Sequence, residues 1–248
     1  MTKRYIISTA ICLAIASTSP VQAGEKVGGF DFSATTAFVS QFSFRGLDQS
    51  DESPAVQGIF DVTHDSGVYA GIFGSSNDLN DNDEANLEVD IYAGYTNTIN
   101  NFSYDIGAIY YAFPGADSSL DYDFYELAFA VGYDFGIAST SVSFNYSPEF
   151  FGDSGDATYV ALSAGVPLPS NFSLAGHLGY QTIEDEAAFF GTATSPQDSF
   201  LNWSIGLTYA APGGFDLSVR YVDTDLSEPA ECPDGCQARG IFGISKTF

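Results

Sequence analysis

Past residue 30 the chain alternates apolar with polar or small residues in runs of about ten, a period of two that predicts strands with one apolar face. In the first run Phe32, Ala34, Thr36, Phe38, Phe42 and Phe44 share one face, and Asp31, Ser33, Thr35, Gln41, Ser43 and Arg45 share the other. Leu87, Val89, Ile91, Ala93 and Tyr95 stand against Glu88, Asp90, Gly94 and Thr96 in a later run. Leu127, Phe129, Val131 and Tyr133 oppose Glu126, Ala128, Ala130, Gly132 and Asp134, and Leu201, Trp203, Ile205, Leu207 and Tyr209 oppose Asn202, Ser204, Gly206 and Thr208. About twelve such runs are predicted, and the small residues on their polar faces leave space on that side.

The connections carry a second pattern. Short turns, such as His64-Asp65-Ser66-Gly67, Asn97 to Asn101 and Ala211-Pro212-Gly213-Gly214, alternate with longer acidic loops around 46–53, 75–86, 114–121, 147–157, 184–199 and 224–237. Short turns on one side and long loops on the other are what an up-and-down transmembrane barrel requires when both termini lie in the periplasm. An even strand number follows. Aromatic residues cluster near strand ends at Tyr110, Tyr111 and Phe113, at Tyr122, Phe124 and Tyr125, and at Phe144, Tyr146, Phe150 and Phe151, which predicts interfacial girdles. The last run, Gly240 to Phe248, sets Phe242, Ile244 and Phe248 on one face and ends on an aromatic residue, as the closing strand of an outer-membrane barrel does.

At the other end Lys3 and Arg4 precede an apolar run from Tyr5 to Ala16 and a small-residue stretch closing on Val21-Gln22-Ala23. This reads as a secretory signal peptide over residues 1–23, cleaved after Ala23, because a spanning helix needs about twenty apolar residues. Cys12 lies inside the apolar run and not at the cleavage boundary, which argues against a lipid anchor. The mature region, 24–248, has no linker, heptad or composition break and reads as one barrel domain. Export and the barrel pattern together predict the bacterial outer membrane.

Charge sharpens the class. The whole chain carries 7 basic and 32 acidic residues, for −25, and losing Lys3 and Arg4 leaves five bases and a net charge of −27. That balance argues against nucleic acid as a partner, since binding there rests on Lys and Arg neutralising phosphates. An aromatic content of 15% with only 16% charged residues excludes a disordered chain. A soluble β-sandwich or jelly roll would share the alternation, but its water-facing side normally carries charges of both signs. The predicted fold is all-β, an antiparallel transmembrane barrel of about 12 strands.

Several segments resemble one family. Phe44-Arg45-Gly46-Leu47-Asp48-Gln49-Ser50, Pro54-Ala55-Val56-Gln57-Gly58, Asp61, Ser66-Gly67-Val68-Tyr69 and Gly71 are similar to the proteobacterial Gcw-chp family of exported proteins. So are Glu88 to Tyr95, Phe113-Pro114-Gly115, Asp123-Phe124-Tyr125-Glu126 and Ser245-Lys246-Thr247-Phe248. The first block is the most specific. The resemblance implies an outer-membrane barrel without an assigned activity and carries over no catalytic residue. The acidic segments 150–156 and 184–198 follow no recognisable pattern.

A barrel of about twelve strands lies between the filled interior of about eight and the wide channel of roughly sixteen. The residues expected to line the pore are Arg45, Glu88, Asp90, Asp105, Glu126, His177, Arg220 and Arg239, with Asp61, Gln181 and Asp216. Carboxylates outnumber bases among them, and such linings favour cations. A narrow porin-like passive channel for small neutral or cationic solutes is the leading expectation. The alternative is a lumen plugged by pairing of these carboxylates with Arg45, Arg220 and Arg239, leaving the acidic loops to bind divalent cations, lipopolysaccharide or a partner. An outer-membrane enzyme is disfavoured: His64 reads as a turn residue, His177 lies on the small-residue face, and no nearby serine follows the pattern of barrel phospholipases.

The loops hold two further sites. Asp78, Asp81, Asp83 and Glu84 supply hard oxygen ligands for weakly bound calcium or magnesium, although the spacing fails as an EF-hand because Asp83 stands where Gly is required and Val89 where the final Glu is. Cys232-Pro233-Asp234-Gly235-Cys236 joins two thiols through turn chemistry in an oxidising compartment, and a Cys232–Cys236 disulfide is expected. The remaining partners expected are outer-membrane lipid and the barrel-assembly machinery, engaged through the strand ending at Phe248. No oligomeric state is legible in the sequence.

Overall fold

The structure, a computed structural model, describes residues 26–79 and 85–248. The predicted signal peptide lies outside them. Twelve long antiparallel strands among the described residues close into one barrel. They are β1 (Phe30–Val39), β4 (Ala55–His64), β5 (Val68–Ser76), β6 (Leu87–Ile99), β7 (Phe102–Ala112), β8 (Phe124–Asp134), β9 (Ser139–Ser147), β10 (Ala157–Leu168), β11 (Phe172–Ile183), β12 (Ser199–Ala211), β13 (Phe215–Thr224) and β14 (Arg239–Thr247). Each pairs with its neighbours in sequence, and β14 closes on β1 with Thr35 opposite Thr247 and Val39 opposite Gly243. Two short strands, β2 (Ser43–Phe44) and β3 (Leu47–Asp48), form a separate hairpin.

Side-chain exposure follows the period of two. Phe32, Phe38, Ile91, Leu127, Phe129, Ile205, Phe242 and Ile244 point outward and are exposed, while Ala37, Asp90, Glu126, Ala128, Ala130 and Ser245 point inward and are buried. An exposed apolar belt around a polar interior inverts the plan of a water-soluble protein and suits a hydrocarbon surround. Turns and loops also segregate as the sequence predicts. The short turns at 65–67, 100–101, 135–138, 169–171 and 212–214 lie at one end, and the loop residues 40–54, 77–79, 85–86, 113–123, 148–156, 184–198 and 225–238 lie at the other.

Two expectations need correction at the long-loop end. Phe42 and Phe44 do not continue the outward face of β1, which ends at Val39; the chain turns into the lumen, burying Phe42 and packing Phe44 edge-on against Tyr111 at 5.8 Å. The segment 46–53, expected as an outer loop, thus begins as an inward hairpin. The girdle is likewise divided by strand parity. Tyr110, Tyr125 and Phe144 face outward, whereas Tyr111, Phe113, Phe124 and Phe150 are buried inside. Tyr111 stacks on Phe124 at 4.3 Å, and Phe150 packs against Phe124 at 4.7 Å and against Phe189 at 5.5 Å. Phe189 and Phe190 are carried by α1 (Glu186–Phe190), capped by Asp185, so the loops at 148–156 and 184–198 fold over the mouth as an aromatic cover.

Candidate functional site

The hairpin is specified locally. Ser43 and Phe44 pair with Asp48 and Leu47 across a two-residue turn, Arg45-Gly46, in which both residues have positive φ, 48° and 90°. Such double left-handed turns favour Gly at the second position. Gly46 is also required for space, because a Cβ there would lie 2.5 Å from Thr224 Cγ2 and 2.8 Å from Asn202 Cβ on the barrel wall. Asp48 secures the base: its carboxylate accepts from the backbone of Ser50 at 3.0 Å and of Glu52 at 2.7 Å, and its own N–H donates to Gly235 at 2.8 Å.

The tip places Arg45 across the lumen. Its Nη2 donates to both carboxylate oxygens of Glu126 on β8 at 2.7 Å, and its Nη1 donates to Gln181 Oε1 on β11 at 2.7 Å. Its guanidinium carbon lies 4.2 Å from the centre of the Tyr159 ring and 4.7 Å from that of Phe44. Asn145 and Tyr111 donate to Glu126 as well, at 3.0 and 3.2 Å. Arg45 is 5% exposed and Glu126 1%, so water screens neither charge. Strands β8, β10 and β11 thereby meet Arg45 directly, and β7 and β9 join through Glu126.

Below this clamp the wall is asymmetric. Asp61 stands on β4, and Glu88, Asp90, Asp105 and Glu126 stand on β6 to β8. Tyr69 and Tyr92 lie flat over inward glycines and carry their hydroxyls to Asp105 at 2.9 Å and Asp61 at 2.5 Å. A Cβ at Gly71 would meet the Tyr92 ring at 2.4 Å, which explains the glycine on this face. The opposite wall is smaller and less charged. Between the hairpin stem (Gln41, Phe42, Ser43) and β11–β14 lies a cavity of about 50 Å³ lined by Ala175, Gly206, Thr208, Ser218 and Arg220.

The remaining predicted sites divide. His177 is luminal, its Nε2 2.7 Å from the Tyr159 hydroxyl and its Nδ1 2.9 Å from Ser163 Oγ. The Ser163 contact was not foreseen, since it arises from the pairing of β10 with β11, 14 residues apart. The chain runs on from Tyr159 to Asn202 at 3.0 Å, not to a carboxylate that would orient a catalytic base. Arg239 does not line the pore; it sits at the base of the hairpin, 3.8 Å from Asp48 and donating to backbone carbonyls of Gln237 and Gly235. Asp78 joins the same base, donating its N–H to Gln49 at 2.9 Å, while Asp81, Asp83 and Glu84 lie outside the described residues.

Cys232 and Cys236 are free buried thiols in the structure. The turn brings them together: their sulfurs and a Glu228 carboxylate oxygen lie within 4.8 Å of one another. Cys232 Sγ donates to the Asp234 carbonyl at 3.1 Å.

The fold is shared with porins. The chain superposes on the KdgM porin with a TM-score of 0.60 at 9% identity, covering 87% of this chain and 99% of that one. The KdgM porin in complex with disordered oligogalacturonate gives 0.59 at 10% identity with the same coverage. No curated protein sequence matches the chain. A family described as bacterial protein of unknown function, Gcw_chp, matches residues 23–248, and the chain belongs to that family.

Proposed function

We propose that the protein is a narrow outer-membrane channel for small neutral or cationic solutes, constricted by the Phe42–Ser50 hairpin. One observation carries this reading: the lumen is narrowed by a segment that is not part of the wall and is pinned across it by Arg45, beside a carboxylate-rich wall and a small-residue one. Carboxylate linings attract cations and repel anions. A polyanion such as the oligogalacturonate bound by the KdgM porin fits poorly in an interior with Asp61 on β4 and Glu88, Asp90, Asp105 and Glu126 on β6 to β8. Export, with the long-loop end outward, puts the exposed apolar belt in the outer membrane, and the luminal histidine serves in wall hydrogen bonding rather than catalysis.

The test is single-channel recording of the refolded protein in a planar bilayer under a salt gradient. Discrete openings with a cation-selective reversal potential are expected. A folded, heat-modifiable but silent barrel would overturn the channel. It would favour the second reading, to which the buried Arg45–Glu126 pair also points: a plugged barrel whose acidic loops engage divalent cations, lipopolysaccharide or a partner.

A further inference from the structure

The acidic wall contains a group of polar side chains that the clamp does not use. Strand register sets Gln57 on β4, Ser75 on β5 and Glu88 on β6 in one luminal row. Asp90 follows two residues along the same face of β6 toward the short-turn end, whereas Asn77 lies two residues beyond Ser75 toward the long-loop end, on the other side of the row. All are buried: Gln57 is 4% exposed, Asn77 6%, Glu88 3% and Asp90 1%. Gln57 Nε2 donates to Ser75 Oγ at 3.3 Å, and Glu88 and Asp90, two residues apart on one face of β6, lie side by side in the lumen.

Four atoms of this group have no partner among the described residues: Gln57 Oε1, Asp90 Oδ1, and both the oxygen and the nitrogen of the Asn77 amide. Leaving a buried polar atom unpaired costs about 1–3 kcal/mol, so a cluster of them implies a missing participant. Two neighbouring buried carboxylates point to its charge, because they repel unless a proton or a cation lies between them. The charged side chains acting on Asp90 are themselves acids, Glu88 and Glu126, while Arg45 directs its guanidinium to Glu126 and Gln181.

We infer that Glu88 and Asp90, with the side-chain oxygens of Gln57 and Ser75, bind a divalent cation of the hard, oxygen-seeking class, calcium foremost. Two carboxylates balance its charge, and amide and hydroxyl oxygens extend the set toward the six to eight oxygens calcium accepts in irregular geometry. Magnesium, which demands a near-ideal octahedron and holds its waters, fits such a wall less well. Its ligand set does not include the acidic loop residues, and it requires no conduction.

The experiment is calorimetric titration of the chelator-treated, detergent-folded protein with calcium chloride, alongside thermal unfolding with and without calcium. Saturable binding and a raised unfolding temperature are expected. In E88Q/D90N calcium affinity should fall at least about tenfold by loss of both charges, while D81N/D83N/E84Q should keep the buried site. Equal binding by wild type and E88Q/D90N, or none by wild type, would overturn the inference and leave a shared proton between the acids. Should E88Q/D90N fail to fold, Q57A decides: weakened affinity supports the site, and unchanged affinity rejects it. A barrel silent in bilayers yet binding calcium would sink the channel alone.

Discussion

Arg45 Nη2 donates to both oxygens of Glu126 at 2.7 Å in the middle of the barrel, joining a loop tip to the opposite wall through charges that water does not reach. Removing one partner of such a pair strands the other. R45A should therefore destabilise the barrel by about 3–5 kcal/mol, with R45A/E126A recovering part of the loss. Denaturant unfolding in lipid vesicles measures this cycle, and strictly additive losses would show that the two residues are not coupled. R45K should fall between, because an ammonium cannot span Glu126 and Gln181 with a planar fork.

The hairpin tip offers a simple reporter. The bond between Arg45 and Gly46 is a trypsin site, one of few in a chain with so few bases, and docking hides it. G46A introduces a Cβ against Thr224 and Asn202 at a left-handed position, where alanine is strained in any space. Limited trypsin digestion should leave the folded wild type intact at Arg45 and cut G46A there. Equal resistance would mean that the hairpin docks without this close fit.

Luminal glycines under tyrosines should be intolerant of even one methyl group. G71A forces Tyr92 from its place over the glycine and disturbs its bond to Asp61, at a cost of about 1–3 kcal/mol for overpacking. G58A, on neighbouring β4, meets nothing within 4 Å and should be silent. Unfolding midpoints of the two variants should separate, and coincident midpoints would remove the steric explanation.

The cysteine loop predicts a dependence on redox state and pH. In the reduced protein the hydrogen bond with Cys232, and then burial, push the Cys236 thiol well above its ordinary pKa. Less thiolate is present at a given pH, so at mildly alkaline pH Cys236 should alkylate far more slowly folded than unfolded. We propose that the exported protein instead carries the Cys232–Cys236 disulfide. Intact mass without reduction would then be lighter by two hydrogens, and alkylation of both thiols in that material would refute the bond.

How much of this was legible in the chain differs by level. Strand faces were, because a period of two assigns each of Phe32, Asp90, Glu126 and Phe242 to a side without further information. The aromatic girdle was half legible. Tyr110 and Tyr111 cannot both face lipid on one strand, and counting parity through the cluster would have sent Tyr111 and Phe124 inward. The hairpin was hidden, because Phe42 and Phe44 keep the phase of β1 and alternation does not report where a strand ends. Arg45-Gly46 reads as a tight turn, but nothing local states that it turns inward; that is set by Glu126 and Gln181, 81 and 136 residues away. Ser163 meeting His177 is likewise a product of register.

The closure of β14 on β1 is the shortest ladder in the ring, five paired positions against ten between β1 and β4 and eight between β13 and β14. Backbone bonds between Ala34 and Phe248 and from Ser40 to Phe242 extend it by little more than a residue at each end. Under a mechanical load on its carboxy-terminus, the cylinder has its zipper here. It would part first along this line, with β14 peeling from β1 while still fastened to β13, and the wall would unroll as a ribbon before any other pair of strands gave way.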